Sequence, residues 1–108
     1  MTNRKNTPSW LDKLGREYWK RIALVVQVDE TNADLVALLA DQYSTYRQAT
    51  NNIAKHGLTY ESNLTWKPNP AVAIRKQALD NIRQLTKLVG QSAPPEARDK
   101  LDEIMGGG

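Results

Sequence analysis

The side chains in this chain that could do chemistry are mostly cations, and the chemistry that suits them is phosphate binding. Lysine and arginine total 15 of 108 residues, against 12 aspartates and glutamates and one histidine. Lys76, Arg83 and Lys87 fall at i, i+7 and i+11, which is one helical face. A second basic block holds Arg4, Lys5, Lys13, Arg16, Lys20 and Arg21. A flexible basic arm followed by a basic helix face is a workable grip on DNA, because phosphate contacts need no fixed motif. The same residues also read as solvated faces. Asp80 follows Lys76 by four residues, and Asp12–Arg16 and Glu17–Arg21 repeat that spacing, so partial neutralisation within a helix is expected.

Other chemistries lack their residues. The chain has no cysteine, which excludes disulfides, thiolate metal sites and cysteine nucleophiles. A lone His56 cannot pair with a second histidine on a metal within one chain. There is no G-x-x-x-x-G-K-[ST] loop and no clear carboxylate cluster for two metals. No catalytic, metal or cofactor site is expected. No apolar run, Ile22–Val26 included, approaches the roughly 18 residues of a membrane span. The opening MTNRKNTPSW is basic without a following apolar stretch, so no secretory signal and no membrane partner are expected.

The net charge is +3, and its distribution says more. Residues 1–28 carry net +4, 29–66 net −3, 67–90 net +4 and 91–108 net −2. Basic and acidic blocks alternate. The basic blocks attract a polyanion, and equally the blocks can pair with each other, within a chain or between copies.

The elements that must position these residues are helical. Residues 1–8 read as a disordered basic arm and 9–105 as a single helical domain, with a flexible tail at 106–108. Ser9 is the expected N-cap of a first helix, with Leu11, Leu14, Tyr18, Ile22 and Val25 on its apolar face. Gly15 either permits a close helix crossing or is tolerated there. The helix is expected to fade near Val26. Asp29 to Asn32 suit the start of a second, longer helix that ends at Lys55-His56-Gly57. Residues 58–68 alternate weakly, with a turn at Ser62-Asn63, and read as an ordered loop or a short β-hairpin over 58–67. Asn69-Pro70 is a strong helix start, and the third helix is expected to end at Gly90. Pro94-Pro95 leads into a short fourth helix from Glu96 to Met105. Trp10, Trp19 and Trp66 read as core or interface anchors rather than base-stacking rings. Tyr43 and Tyr46 read as packing residues. The fold class is all-α, a long helical hairpin with flanking short helices.

This order of features resembles the phage terminase small-subunit family, in its small single-domain branch. Three pieces carry the resemblance. Leu35, Leu38-Leu39, Tyr43, Tyr46, Ala49, Ile53 and Gly57 form the first. Asn69-Pro70-Ala71-Val72, Ile74, Ala78-Leu79, Ile82, Leu85 and Val89-Gly90 form the second and most specific. Pro95 and Arg98 form the third. Together they cover roughly residues 8–104. The resemblance implies a non-catalytic subunit acting in the host cytoplasm. Such a subunit assembles as a homo-oligomeric ring, binds double-stranded viral DNA, delivers it to the large terminase subunit and modulates that subunit's ATPase and nuclease. The residues expected to touch DNA are Arg4, Lys5, Lys13, Arg16, Lys20, Lys76, Arg83 and Lys87.

A paired second and third helix should leave one apolar face open for another copy. A head-to-tail contact that closes makes a ring, with the acidic residues 29–41 facing a neighbour's basic block. Two rival readings fit the composition. One is a small oligomeric or dimeric DNA-binding regulator without a packaging role. The other is an interaction adaptor without DNA affinity.

Overall fold

The computed structural model describes residues 6–91. Helix α1 spans Lys13–Val25, α2 spans Ala33–His56, and α3 spans Pro70–Gln91. Strands β1 (Thr59–Ser62) and β2 (Thr65–Pro68) join α2 to α3. Residues 1–5 of the expected arm, the expected fourth helix at 96–105 and the tail at 106–108 lie outside the described residues.

The first helix starts later than its sequence implies. Its N-cap is Asp12, not Ser9, and the Asp12 Oδ1 accepts from the Gly15 N–H at 2.7 Å. Gly15 exists for this cap rather than for a helix crossing. A Cβ there would sit 3.0 Å from Asp12 Oδ1 and 3.3 Å from a Leu11 methyl. The same carboxylate reaches α2, accepting from Ser44 Oγ at 2.7 and 2.8 Å and from Gln48 Nε2 at 2.7 Å. These bonds hold Asp12 below the ordinary carboxylate range, with the Gly15 N–H the largest cause and Ser44 next. α1 ends at Val25, with Val26 as its C-cap, as the β-branched pair implies.

The connector from 26 to 32 is an ordered turn. Asp29 accepts from the Thr31 N–H at 2.8 Å, and Asn32 bridges the Asp29 N–H and the Gln27 carbonyl, both at 2.9 Å. α2 then runs about 36 Å at 1.5 Å per residue. It stops at Gly57, whose φ of 86° lies in the left-handed region that glycine occupies without strain.

α3 opens on the expected Asn-Pro signal. Asn69 Oδ1 accepts from the Ala71 N–H at 3.0 Å, and Pro70 occupies the first helical position. The helix continues through Gly90 to Gln91 instead of ending at Gly90, and Gly90 is buried. α3 packs antiparallel along α2. Gln42 Oε1 accepts from Asn81 at 3.0 Å near one end, and Asn52 Oδ1 accepts from Asn69 at 2.9 Å near the other. α1 packs on the N-terminal half of α2. The core lies where all three helices meet, around Ile22, Val28, Val36, Leu39, Tyr43, Ile82 and Val89. Tyr18 and Tyr43 stack there with ring centroids 4.2 Å apart. Trp19 is buried in it, whereas Trp10 and Trp66 are exposed, so only one tryptophan is a core anchor.

Residues 59–68 form the β-hairpin rather than a loop, with Tyr60 opposite Lys67 and Glu61 opposite Trp66. Its turn residues are Asn63 and Leu64, with φ of 51° and 66°. Two positive values in succession make a type I′ turn, whose twist matches that of the strands. Asn69 fixes the root: its N–H donates to Leu58 O, and its amide donates to Gly57 O, both at 2.8 Å.

Two buried hydroxyls, Thr50 Oγ1 and Thr86 Oγ1, have no hydrogen-bond partner. Each is desolvated without compensation, so Thr86→Val is expected to stabilise the fold by about 1 kcal/mol. Chemical denaturation measures it. A loss of stability would mean that the hydroxyl is satisfied in solution.

Candidate nucleic-acid interface

Helical period places the expected cations outside. Lys13, Arg16 and Lys20 form one exposed face of α1, and Lys76, Arg83 and Lys87 one exposed face of α3. Arg4 and Lys5 lie outside the described residues. The structure does not merge the two faces, because α1 and α3 both lean on α2 and share no extended contact.

The expected intrahelical neutralisation is mostly absent. Asp12 spends its oxygens on the cap and on α2 and makes no ion pair with Arg16. Arg16 instead donates to the Ser9 carbonyl at 3.0 Å. Arg21 lies over the Tyr18 ring at 5.1 Å, rather than on Glu17. On α3, Asp80 pairs with Arg83 at 3.9 Å instead of with Lys76, and both side chains are at least half exposed. A pair that long and that wet contributes little and leaves the guanidinium free to exchange partners. Lys76 and Lys87 pair with no described residue.

Further cations join them that period alone did not single out. Arg47 and Lys55 on α2, Lys67 on β2 and Arg75 on α3 make no ion pair with a described residue. α1 reaches along α2 only as far as Gln48, so the far half of the α2–α3 pair projects beyond it with the hairpin at its end. That projecting half carries Lys55 and Lys67 against Glu61, and Arg75 and Lys76 stand level with Arg47 where it begins. The opposite end holds Asp29, Glu30, Asp34 and Asp41 and no base between residues 26 and 41. Arg83 and Lys87 of the antiparallel α3 stand level with that acidic stretch, so the acidic block of sequence becomes one side of α2 rather than an acidic end of the helical pair. His56 closes α2, exposed, in the last turn beside Lys55.

The exposed large apolar side chains were not legible as a set. Leu58, Tyr60, Leu64 and Trp66 all stand open on the hairpin, with Leu64 94% exposed at its tip. The available signal was the density of Leu, Tyr and Trp in an otherwise polar stretch of 11 residues, 58–68. Among the described residues no helix is long and apolar enough to cross a membrane. Among the same residues no three His, Asp or Glu side chains gather as a metal site.

A family model described as phage terminase, small subunit, matches residues 15–104. No curated protein and no solved structure matches the chain. Small terminase subunits are in general non-catalytic regulatory subunits. The match takes in all but the first two residues of α1, the whole hairpin and α3, and with them the basic faces from Arg16 onward. On that span, with the helical pair and its charged faces in place, the chain belongs to the phage terminase small-subunit family.

Proposed function

We propose that this protein binds double-stranded viral DNA as a ring of identical copies in the host cytoplasm. It delivers that DNA to the large terminase subunit and modulates that subunit's ATPase and nuclease, with no catalytic group of its own. The family match over 15–104 carries the reading. The exposed, largely unpaired basic faces of α1 and α3 support the DNA contact. Such contacts are to phosphates, so affinity falls steeply with salt and sequence preference comes from DNA shape and from many copies acting together.

The triple variant Lys76→Gln, Arg83→Gln, Lys87→Gln tests the α3 face. All three side chains are exposed, so the fold should survive. The slope of log affinity against log salt is expected to shrink by about three. Fluorescence anisotropy on a duplex, with circular dichroism as the folding control, reads it. An unchanged slope removes α3 from the interface. DNA binding without any effect on the large subunit's ATPase would favour the regulator reading instead.

A further inference from the structure

We infer that the β-hairpin is the arm by which one copy grips the next, docking on the acidic open edge of a neighbour's α2–α3 pair. The inference rests on the proposed assembly and names its contact.

The arm is built for a partner outside its own protomer. Tyr60 and Trp66 lie on opposite faces of the ribbon, and neither face is covered. A two-stranded ribbon alone in water is marginal. Its tip sharpens the point. Leu64 sits at φ 66°, where the turn would favour glycine, and 94% of its surface is open. The protomer gains no packing from a leucine in that place, and a backbone strained without local return points to a contact elsewhere. Within 58–68 the only charges are Glu61 and Lys67, so the ribbon has no net charge while it opens Leu58, Tyr60, Leu64 and Trp66 to solvent. That composition favours a protein over DNA.

The matching surface is at the other end of the molecule. Asp34, Leu38 and Asp41 fall at i, i+4 and i+7, one stripe of α2. Gln42, one turn past Leu38, bonds to Asn81, which precedes Leu88 by two turns. The antiparallel register therefore sets Leu38 and Leu88 along the same edge. They are 46% and 45% exposed. An apolar strip rimmed by Asp34 and Asp41 complements a ribbon that exposes Tyr60, Leu64 and Trp66 and carries Lys67, with Lys55 in the last turn of α2 before its root. Hairpin to edge is a head-to-tail contact, the kind that closes into rings.

Native mass spectrometry of the full chain, wild type beside variants, tests this. Leu64→Gly with Trp66→Thr keeps a foldable turn and strand while removing the two most exposed anchors. The concentration for half-assembly is expected to rise at least about 30-fold, the loss of one strong anchor. At working concentration the mass falls to the 12.2 kDa protomer. Lys67→Asp should weaken assembly, as should Asp34→Lys with Asp41→Lys. Combining the three changes should restore part of it, which a merely unfolded hairpin would not do. An assembled variant of unchanged mass overturns the inference and leaves the assembly reading intact. Unchanged mass with lost DNA affinity overturns it in favour of a DNA-gripping ribbon. A wild type that stays a protomer at all concentrations, with and without duplex DNA, defeats the assembly reading itself.

Discussion

Asp12→Ala is expected to lower the unfolding free energy by about 2–4 kcal/mol. A helix N-cap contributes about 1 kcal/mol, and stranding a buried hydroxyl costs about 1–3 more. Ser44 is 1% exposed and gives its proton to Asp12, so the variant leaves that hydroxyl stranded. Gln48 loses one of its two acceptors as well, keeping Ser44 Oγ. Asp12→Asn keeps an acceptor for Gly15 and should lose less. Urea unfolding at one fixed protomer concentration reads both, since assembly would otherwise shift the midpoint. A change below about 0.5 kcal/mol in the alanine variant would mean that α1 is not held through this carboxylate. The pH dependence follows from the sign of the shift. Asp12 is depressed below its ordinary 3.8. Its contribution is therefore complete above the unfolded value and lost as pH falls through the folded one, below 3.8. Asp29, lowered by its bonds from Thr31, has the same sign. Acid unfolding of Asp12→Asn should be shallower than that of wild type, which alone keeps the titrating carboxylate.

The second large effect is expected at Asn69. Its amide donates to Asn52 Oδ1 and Gly57 O, while its Oδ1 caps α3. Asn69→Asp keeps the cap and inverts the other side, pushing a carboxylate against two oxygens at a site 9% exposed. The cost is about 2–4 kcal/mol, from two lost donors and a desolvated charge. Its pH signature is opposite to that of Asp12. The new acid is held above its ordinary value, so protonation restores a donor and the deficit against wild type shrinks as pH falls. A deficit that is constant with pH would mean that the side chain swings out to water. Because Asn69 also ties the hairpin root, hydrogen exchange at 59–68 should quicken in this variant and not in Asp12→Ala.

How far the fold can be read from residues alone depends on distance along the chain. The end of α2 and the start of α3 are written locally, in the left-handed Gly57 and in Asn69-Pro70, and both appear where those residues stand, whereas Gly90 does not end α3. The start of α1 is not local. Ser9 and Asp12 are both good caps, and the choice falls to Asp12 because Ser44 and Gln48 wait for its carboxylate across the helix pair. The hairpin was ambiguous because its turn is Asn-Leu where Asn-Gly would announce it. The basic faces were legible, since exposure follows helical period. How loosely acidic neighbours hold them was not, since sequence spacing offers pairs such as Asp12–Arg16, whereas the Asp12 carboxylate bonds to Gly15, Ser44 and Gln48. Nothing in the sequence marked Trp10 and Trp66 as open and Trp19 as closed.

The two amide bridges between α2 and α3 have a mechanical consequence. Gln42–Asn81 and Asn52–Asn69 stand about three turns apart on the same seam. Apolar side chains along such a seam would tolerate one helix sliding by a turn, because leucine meets leucine again. Amides do not, because a slide breaks both half-buried pairs at once and leaves the buried Asn69 amide without its Asn52 partner. The seam is therefore a ratchet with a single tooth. Every copy of the strut has one length, and every hairpin stands at the same height above its base. Parts of uniform reach can be repeated around a circle without accumulating error.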